Sequence, residues 1–149
     1  MGDEDRVEVG AFTIKAGYSV DVTCTAMAAW HQRVWVYLKH QASASSTEDE
    51  DHEFVGGGKD NGTQDAMSTK SDSSIKTWSF AKNATTDRYI YVAIQHSTDG
   101  KDDTWKNSSV VGPIKIDLDA NTIIGIFTSE DGADKSYDDC IVRVVTKKA

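Results

Sequence analysis

The sequence predicts an all-β domain, because hydrophobic and polar residues alternate in eight separate segments. No segment keeps the spacing of an amphipathic helix for three turns, and the one stretch with helical propensity, residues 25–31, is short. Turn-forming pairs such as Asp99-Gly100 and Asp131-Gly132 separate the segments. Such punctuation is typical of antiparallel hairpins, so we expect an antiparallel β-sandwich of about 8–10 strands.

The expected strands follow one another along most of the chain. Ala16-Gly17 makes a turn between the first two, and Trp78 with Phe80 makes the fourth a candidate for the core. Asp119-Ala120-Asn121 favours a turn between the sixth and seventh, and Pro113 is expected at a strand entrance, where a missing backbone donor is tolerated. The segments are residues 11–15, 18–25, 33–40, 75–81, 88–95, 114–118, 122–128 and 140–146, with 7–9 and 53–55 as weaker candidates.

Residues 41–74 differ from the rest of the chain. Serine-rich, acidic and glycine-rich runs follow one another there, and Phe54, Val55 and Met67 are almost the only residues suited to a core. We therefore expect one long, irregular, mobile polar loop, and such loops on rigid β scaffolds often carry function. The length of 149 residues fits a single domain, residues 1–149.

The composition excludes some partners and favours a location. A net charge of -8 disfavours nucleic acid and anionic membrane surfaces, because both would repel the chain. No apolar run is long enough to span a bilayer, and no signal peptide is recognisable, so we expect a cytoplasmic protein without membrane insertion. Cys24 and Cys140 share the parity of nearby valines, which predicts buried free thiols on neighbouring strands.

Two expected strands place aromatic residues on the face opposite their aliphatic row. In residues 33–39, Trp35 and Tyr37 share a face with charged residues, and in residues 87–95 Tyr89 and Tyr91 do the same. An exposed aromatic stripe indicates a binding surface or a subunit interface, since a large apolar plane in water is unfavourable. The alternative is a second buried layer, in which these rings are ordinary core.

Catalysis has little support in the sequence. The four histidines have no nucleophile beside them in a known catalytic spacing, and no phosphate-binding loop is present in the required context. Calcium is a more serious alternative, because carboxylates cluster in residues 48–53, 99–103 and 130–139. Solvated acidic loops explain these runs better, so we expect no metal ligands and no cofactor.

A neutral saccharide fits the available residue types best. Sugar binding needs an aromatic plane for C–H groups and polar side chains for hydroxyls, and Trp105 lies in a polar stretch without aliphatic neighbours. Trp105 could equally fold back as a plug of the core. The expected ligand-binding residues are Trp105, Arg88, Tyr89, Tyr91, Trp35 and Tyr37, with the rings for stacking and the guanidinium for hydroxyl contacts.

Three features stand out together: the segment Gly10-Ala11-Phe12-Thr13-Ile14-Lys15-Ala16-Gly17-Tyr18-Ser19-Val20, the Trp-rich strands and the long polar loop. With these features the chain resembles, in overall character, the small cytoplasmic β-sandwich lectins of fungal fruiting bodies. The resemblance implies a non-enzymatic, oligomeric sugar binder, directed in some cases at fucosylated or galactosylated glycans and involved in defence of the fungus.

The first hypothesis is therefore a metal-independent lectin that binds glycans or glycoconjugates multivalently as a homo-oligomer. Two other classes stay open: a calcium-dependent β-sandwich that docks to a membrane or a partner through its acidic loops, and a structural protein that self-assembles through the aromatic stripe.

Overall fold

The computed structural model describes residues 2–27, 30–57, 65–83, 85–130 and 139–148. Those residues form strands and connections, without a helix among them, and so none that is long and apolar enough to cross a membrane. The strands are β1 Val9–Ile14, β2 Tyr18–Ala26, β3 His31–Lys39, β4 Glu50–Gly57, β5 Asp65–Ala66, β6 Ser68–Thr69, β7 Thr77–Phe80, β8 Arg88–Ser97, β9 Lys106–Asn107, β10 Ser109–Asp119, β11 Thr122–Glu130 and β12 Cys140–Lys148.

The strands form two antiparallel sheets. The first has the order β1-β8-β3-β4-β6, with β9 paired to β8. The second has the order β10-β11-β12-β2-β5, with β7 paired to β2. Every pairing in both sheets is antiparallel, so the expected all-β antiparallel sandwich is confirmed.

The main core lies between the sheets and follows the aliphatic rows expected from the alternation. In the first sheet the rows of β3 and β8 are buried, as Val36 and Val92 show, and in the second Val22 and Val144 lie beside each other on β2 and β12. Side chains alternate across a strand, so a row with period two falls on one face and packs against the opposite sheet.

The two cysteines form no disulfide and are buried on the neighbouring strands β2 and β12, as expected. Burial raises the pKa of the Cys24 thiol, because the thiolate would lose its hydration there. Met67 lies beside Cys140, with its sulfur 3.6 Å from the Cys140 sulfur. Both thiols are therefore part of the core.

The prediction of one long irregular loop over residues 41–74 was wrong in part. Strand β4 occupies its middle and pairs with β3, and the short strands β5 and β6 follow. Phe54 is the reason, because it points into the core opposite Val34 while its acidic neighbours alternate toward the outer face. Residues 58–64 lie outside the described part of the chain, as does the expected turn at residues 131–132.

Strand β10 is an edge strand with an unusual surface. Ile114, Ile116 and Leu118 lie on one face of it and are 48%, 39% and 62% exposed. Pro113 lies inside β10, next to a register shift between Val111 and Ile114, rather than at the strand entrance. A missing backbone donor is tolerated there because Pro113 lies in an edge strand, at an irregularity of its pairing with β11.

Candidate functional site

The aromatic stripe forms a second buried cluster on the outer face of the first sheet. Trp35, Tyr37 and Tyr91 are buried there with Ala93, and Tyr89 packs against them while partly exposed. Of the interpretations left open by the sequence, the second buried layer is therefore the one that the structure shows. The binding role expected for these residues stays a prediction.

The N-terminal residues 2–8, which have no regular secondary structure, contact this cluster. The Arg6 guanidinium lies 4.5 Å from the centre of the Trp35 ring and 5.9 Å from that of Tyr37. Burial raises the pKa of Tyr37 to about 12, because a phenolate would lose its hydration. No hydrophobic pattern in residues 2–8 signals this position, because the contacts are made by charged side chains.

Trp105 belongs to the same outer layer. It is only 8% exposed, and the Arg33 guanidinium lies 4.3 Å from its ring centre and 4.5 Å from that of Trp35. Gln95 accepts hydrogen bonds of 2.8 and 3.1 Å from Arg33, and Asp3 accepts one of 3.0 Å. Arg33 thereby holds the two tryptophans at fixed positions, a link that the sequence analysis missed.

Arg88 does not join this group. On β8 it has the parity of Ile90, so its side chain lies on the opposite face from Tyr89 and Tyr91. The guanidinium is buried and donates a hydrogen bond to the carbonyl of Ala81. Burial lowers its pKa. The structure therefore separates Arg88 from the rings with which it was grouped, a separation that the strand alternation already indicates.

Two adjoining clefts open beside the outer layer. The first has a volume of about 520 Å³ and is lined in part by Trp105 and Arg33. The second has a volume of about 530 Å³ and is lined in part by Trp35. Glu53 and Lys70 line both clefts and lie 3.8 Å apart, carboxylate oxygen to ammonium nitrogen. Together the clefts form a groove, called the outer groove below.

A second polar site lies where β11 ends and β12 approaches. Glu130 and Asp139 are buried there, 4% and 8% exposed. The Asp139 N–H donates to the carbonyl of Ser129 at 3.1 Å, and the Met27 N–H donates to the carbonyl of Asp139 at 2.9 Å. These hydrogen bonds connect the end of β11 and the start of β12 to the residue that follows β2, and both acidic residues are buried there.

The comparisons with known proteins agree on one class. The family model described as Fucose-binding lectin II (PA-IIL) matches residues 12–148. No curated protein sequence matches the chain significantly.

Solved structures of bacterial lectins share the fold. The high-affinity mannose-binding lectin of Ralstonia solanacearum is 22% identical, with 91% of this chain and 94% of that one covered and a TM-score of 0.55. The C-terminal domain of the BC2L-C lectin from Burkholderia cenocepacia is 21% identical, with 93% of this chain and 97% of that one covered and a TM-score of 0.53. The Chromobacterium violaceum lectin CV2L, solved with alpha-methyl-fucoside, is 20% identical, with 91% of this chain and 94% of that one covered and a TM-score of 0.52.

The two-sheet sandwich and the family match together define a lectin, a non-enzymatic carbohydrate-binding protein. The chain belongs to the fucose-binding lectin II (PA-IIL) family. The small β lectin expected from the resemblance is therefore confirmed as a class. The predicted membership of the fungal fruiting-body family was wrong, because the matching model is that of a different lectin family. Overall character does not distinguish the two families, since both consist of small β lectins.

The residues at the β11–β12 end fit a calcium ion by their chemistry. Calcium takes several hard oxygen ligands, above all carboxylates, and Glu130 and Asp139 supply two carboxylates at the same end of the β11–β12 pair. The sequence between them adds Asp131, Asp134 and Asp138, which lie outside the described residues. Within the described ranges, no three His, Cys, Asp or Glu residues gather as a metal site.

Proposed function

We propose that this chain is a lectin for neutral monosaccharides of the fucose and mannose type. The family match over residues 12–148 carries the proposal, because that family is described as fucose-binding. Two structural neighbours add support, since one is named as mannose-binding and another was solved with alpha-methyl-fucoside. A neutral sugar also agrees with the net charge of -8, which repels anionic ligands.

We further propose that sugar binding at the β11–β12 end depends on calcium, in place of the metal independence expected from the sequence. The support is the pair of buried carboxylate residues, Glu130 and Asp139, because calcium binds carboxylate oxygens and both residues lie at this end of the strand pair. Glu130 and Asp139 would hold the ion. Bound calcium supplies positive charge and open coordination positions for vicinal sugar hydroxyls.

The lectin is proposed to act as a homo-oligomer, so that several weak sites bind one glycan surface together. The exposed apolar row of β10 supports this, because an uncovered edge strand with large hydrophobic side chains favours pairing with another chain. The aromatic stripe, to which the interface was first assigned, is already covered within the chain.

Calorimetric titration with methyl α-L-fucoside and methyl α-D-mannoside tests the proposal. In millimolar calcium we expect saturable binding of at least one of them, and in EDTA an affinity lower by about tenfold or more. Glu130→Gln should reproduce the loss in calcium, whereas Asp117→Asn on the exposed β10 should bind normally. Absence of binding to both sugars in calcium would contradict the lectin assignment, and equal affinity in EDTA would contradict the calcium dependence.

Three earlier expectations stay predictions: recognition of galactosylated glycans, a cytoplasmic location and a role in defence.

A further inference from the structure

We propose that the outer groove is a second saccharide site, separate from the β11–β12 end and independent of calcium. It goes beyond the proposed function, because it adds a site on the outer face of the first sheet. The groove runs from Trp105 past Glu53 and Lys70 to Trp35. The volumes of its two clefts, about 520 and 530 Å³, fall within the range of roughly 300–1,000 Å³ of small-molecule sites.

The aromatic part of the groove is rigid. Trp105 lines one cleft and Trp35 the other, and Arg33 is stacked between the two rings. Its hydrogen bonds to Gln95 and Asp3 fix the guanidinium, so the tryptophan edges stay in place without a ligand. A rigid apolar edge that faces a cleft binds the C–H groups of a sugar at little cost in conformational entropy.

The polar part of the groove centres on Glu53. Glu53 lies directly opposite Trp35 in the β3–β4 pairing, so the two side chains share the outer face. Its side chain is only 19% exposed, and among the described residues its side chain contacts only one polar partner, the Lys70 ammonium at 3.8 Å. That separation is too long for a hydrogen bond, so the carboxylate oxygens keep free acceptor positions.

A carboxylate with free acceptor positions beside an aromatic edge suits a pair of sugar hydroxyls. Hydrogen bonds from hydroxyls to a charged carboxylate are stronger than neutral ones, and partial burial excludes competing water. The Lys70 ammonium, 65% exposed, can donate to a third hydroxyl.

The charges of the groove favour a neutral ligand over an anion. Arg33 and Lys70 are its two permanently basic lining residues, and Glu53, Asp99 and Asp102 are its acidic ones in the first cleft. Arg33 is already bound to Gln95 and Asp3 and therefore has little capacity left for a phosphate or carboxylate. A polyhydroxylated neutral ligand meets these groups without a charge mismatch.

The test uses the full chain, labelled with nitrogen-15, in millimolar EDTA, so that calcium contributes nothing. The probe is α1,3-mannobiose, added to tens of millimolar, and the readout is the indole N–H signals of Trp35 and Trp105. We expect both signals to shift saturably. Glu53→Gln should raise the dissociation constant about tenfold, because a charged acceptor is lost.

Two further variants keep the result decisive. Lys70→Ala, at an exposed position that does not endanger the fold, should also weaken binding. Asp117→Asn removes the same charge from the exposed β10 and should leave binding unchanged. If neither indole signal moves, or if Glu53→Gln binds like the wild type, the second site is refuted. Normal binding of fucoside in calcium would then show that the proposed function survives, whereas loss of binding in both conditions would refute both.

Discussion

The buried ammonium group of Lys39 lies 2.5 Å from a carboxylate oxygen of Glu8. The Lys39 side chain is 0% exposed and that of Glu8 25%. Lys39 also donates to the carbonyl of Ala44 at 2.9 Å and lies 4.8 Å from the centre of the Tyr91 ring. The pair therefore attaches the N-terminal segment to the outer aromatic layer.

Removing one member of this pair should destabilise the fold. We expect Glu8→Ala to lower the free energy of unfolding by about 1–3 kcal/mol, because it leaves a buried cation without the carboxylate that neutralises its charge. Glu48→Ala, at an exposed position, provides the matched control and should change it by less than about 0.5 kcal/mol. Urea unfolding measures both. Equal stability of the two variants would show that the pair contributes nothing.

Trp105 should behave as a core residue when it is removed entirely. Because the ring is 8% exposed and stacked on Arg33, Trp105→Ala should cost about 3–5 kcal/mol. Trp30, which is 37% exposed and stacked on His96, is the matched control, and Trp30→Ala should cost less than about 1.5 kcal/mol. Thermal and urea unfolding give both values. A Trp105→Ala variant as stable as the wild type would show that packing of the ring contributes nothing to the stability of the fold.

Mild acid should destabilise the protein through two histidines. Burial lowers the pKa of His52 and of His96 below the usual 6.5, so the unfolded chain binds protons that the folded chain does not. The contribution of these two histidines to the free energy of unfolding should be fully present above pH 6.5. It should decrease as the pH falls from 6.5 toward their lowered pKa values in the folded protein.

The variant His96→Gln should reduce this pH dependence. In the wild type His96 contacts the hydroxyl of Ser108 at 2.8 Å and stacks on Trp30, so its protonation is coupled to the fold. The measurement is the free energy of unfolding between pH 5 and pH 8. The exposed His40→Gln is the control. A profile for His96→Gln that matches the wild type would exclude His96 as a source of the dependence.

Lysine substitutions on β10, the edge strand of the second sheet, should prevent formation of the homo-oligomer. We expect the wild type to be an oligomer, and Ile116→Lys with Leu118→Lys to give a monomer of 16.3 kDa, because buried ammonium groups would oppose pairing of β10. Val7→Lys, at an apolar position 58% exposed elsewhere, should leave the mass unchanged. Light scattering at micromolar concentration measures the mass. A wild-type monomer would contradict the proposed oligomer.

The sequence by itself determined the sandwich and its inner core. Period two in segments such as 88–95 assigns every second side chain to one face, and a row of branched aliphatic residues has only one stable position, against the other sheet. The same parity placed Cys24 and Cys140 in the core and shows that Arg88 lies apart from the tyrosines. These properties are local, so they can be predicted without knowing the fold.

Only the tertiary structure decided what covers the opposite face. Alternation shows that Trp35 and Tyr91 leave the inner core, but not what they meet, because their partners come from residues distant in sequence and have no hydrophobic pattern of their own. Arg6 and Glu8, both from the N-terminal segment, cover the stripe through a cation–π contact with Trp35 and an ion pair with Lys39. The outer groove also depends on the tertiary structure, because Trp105, Glu53 and Lys70 come from three separate segments of the chain. The fold brings these residues together in space, and their order in the sequence does not indicate it.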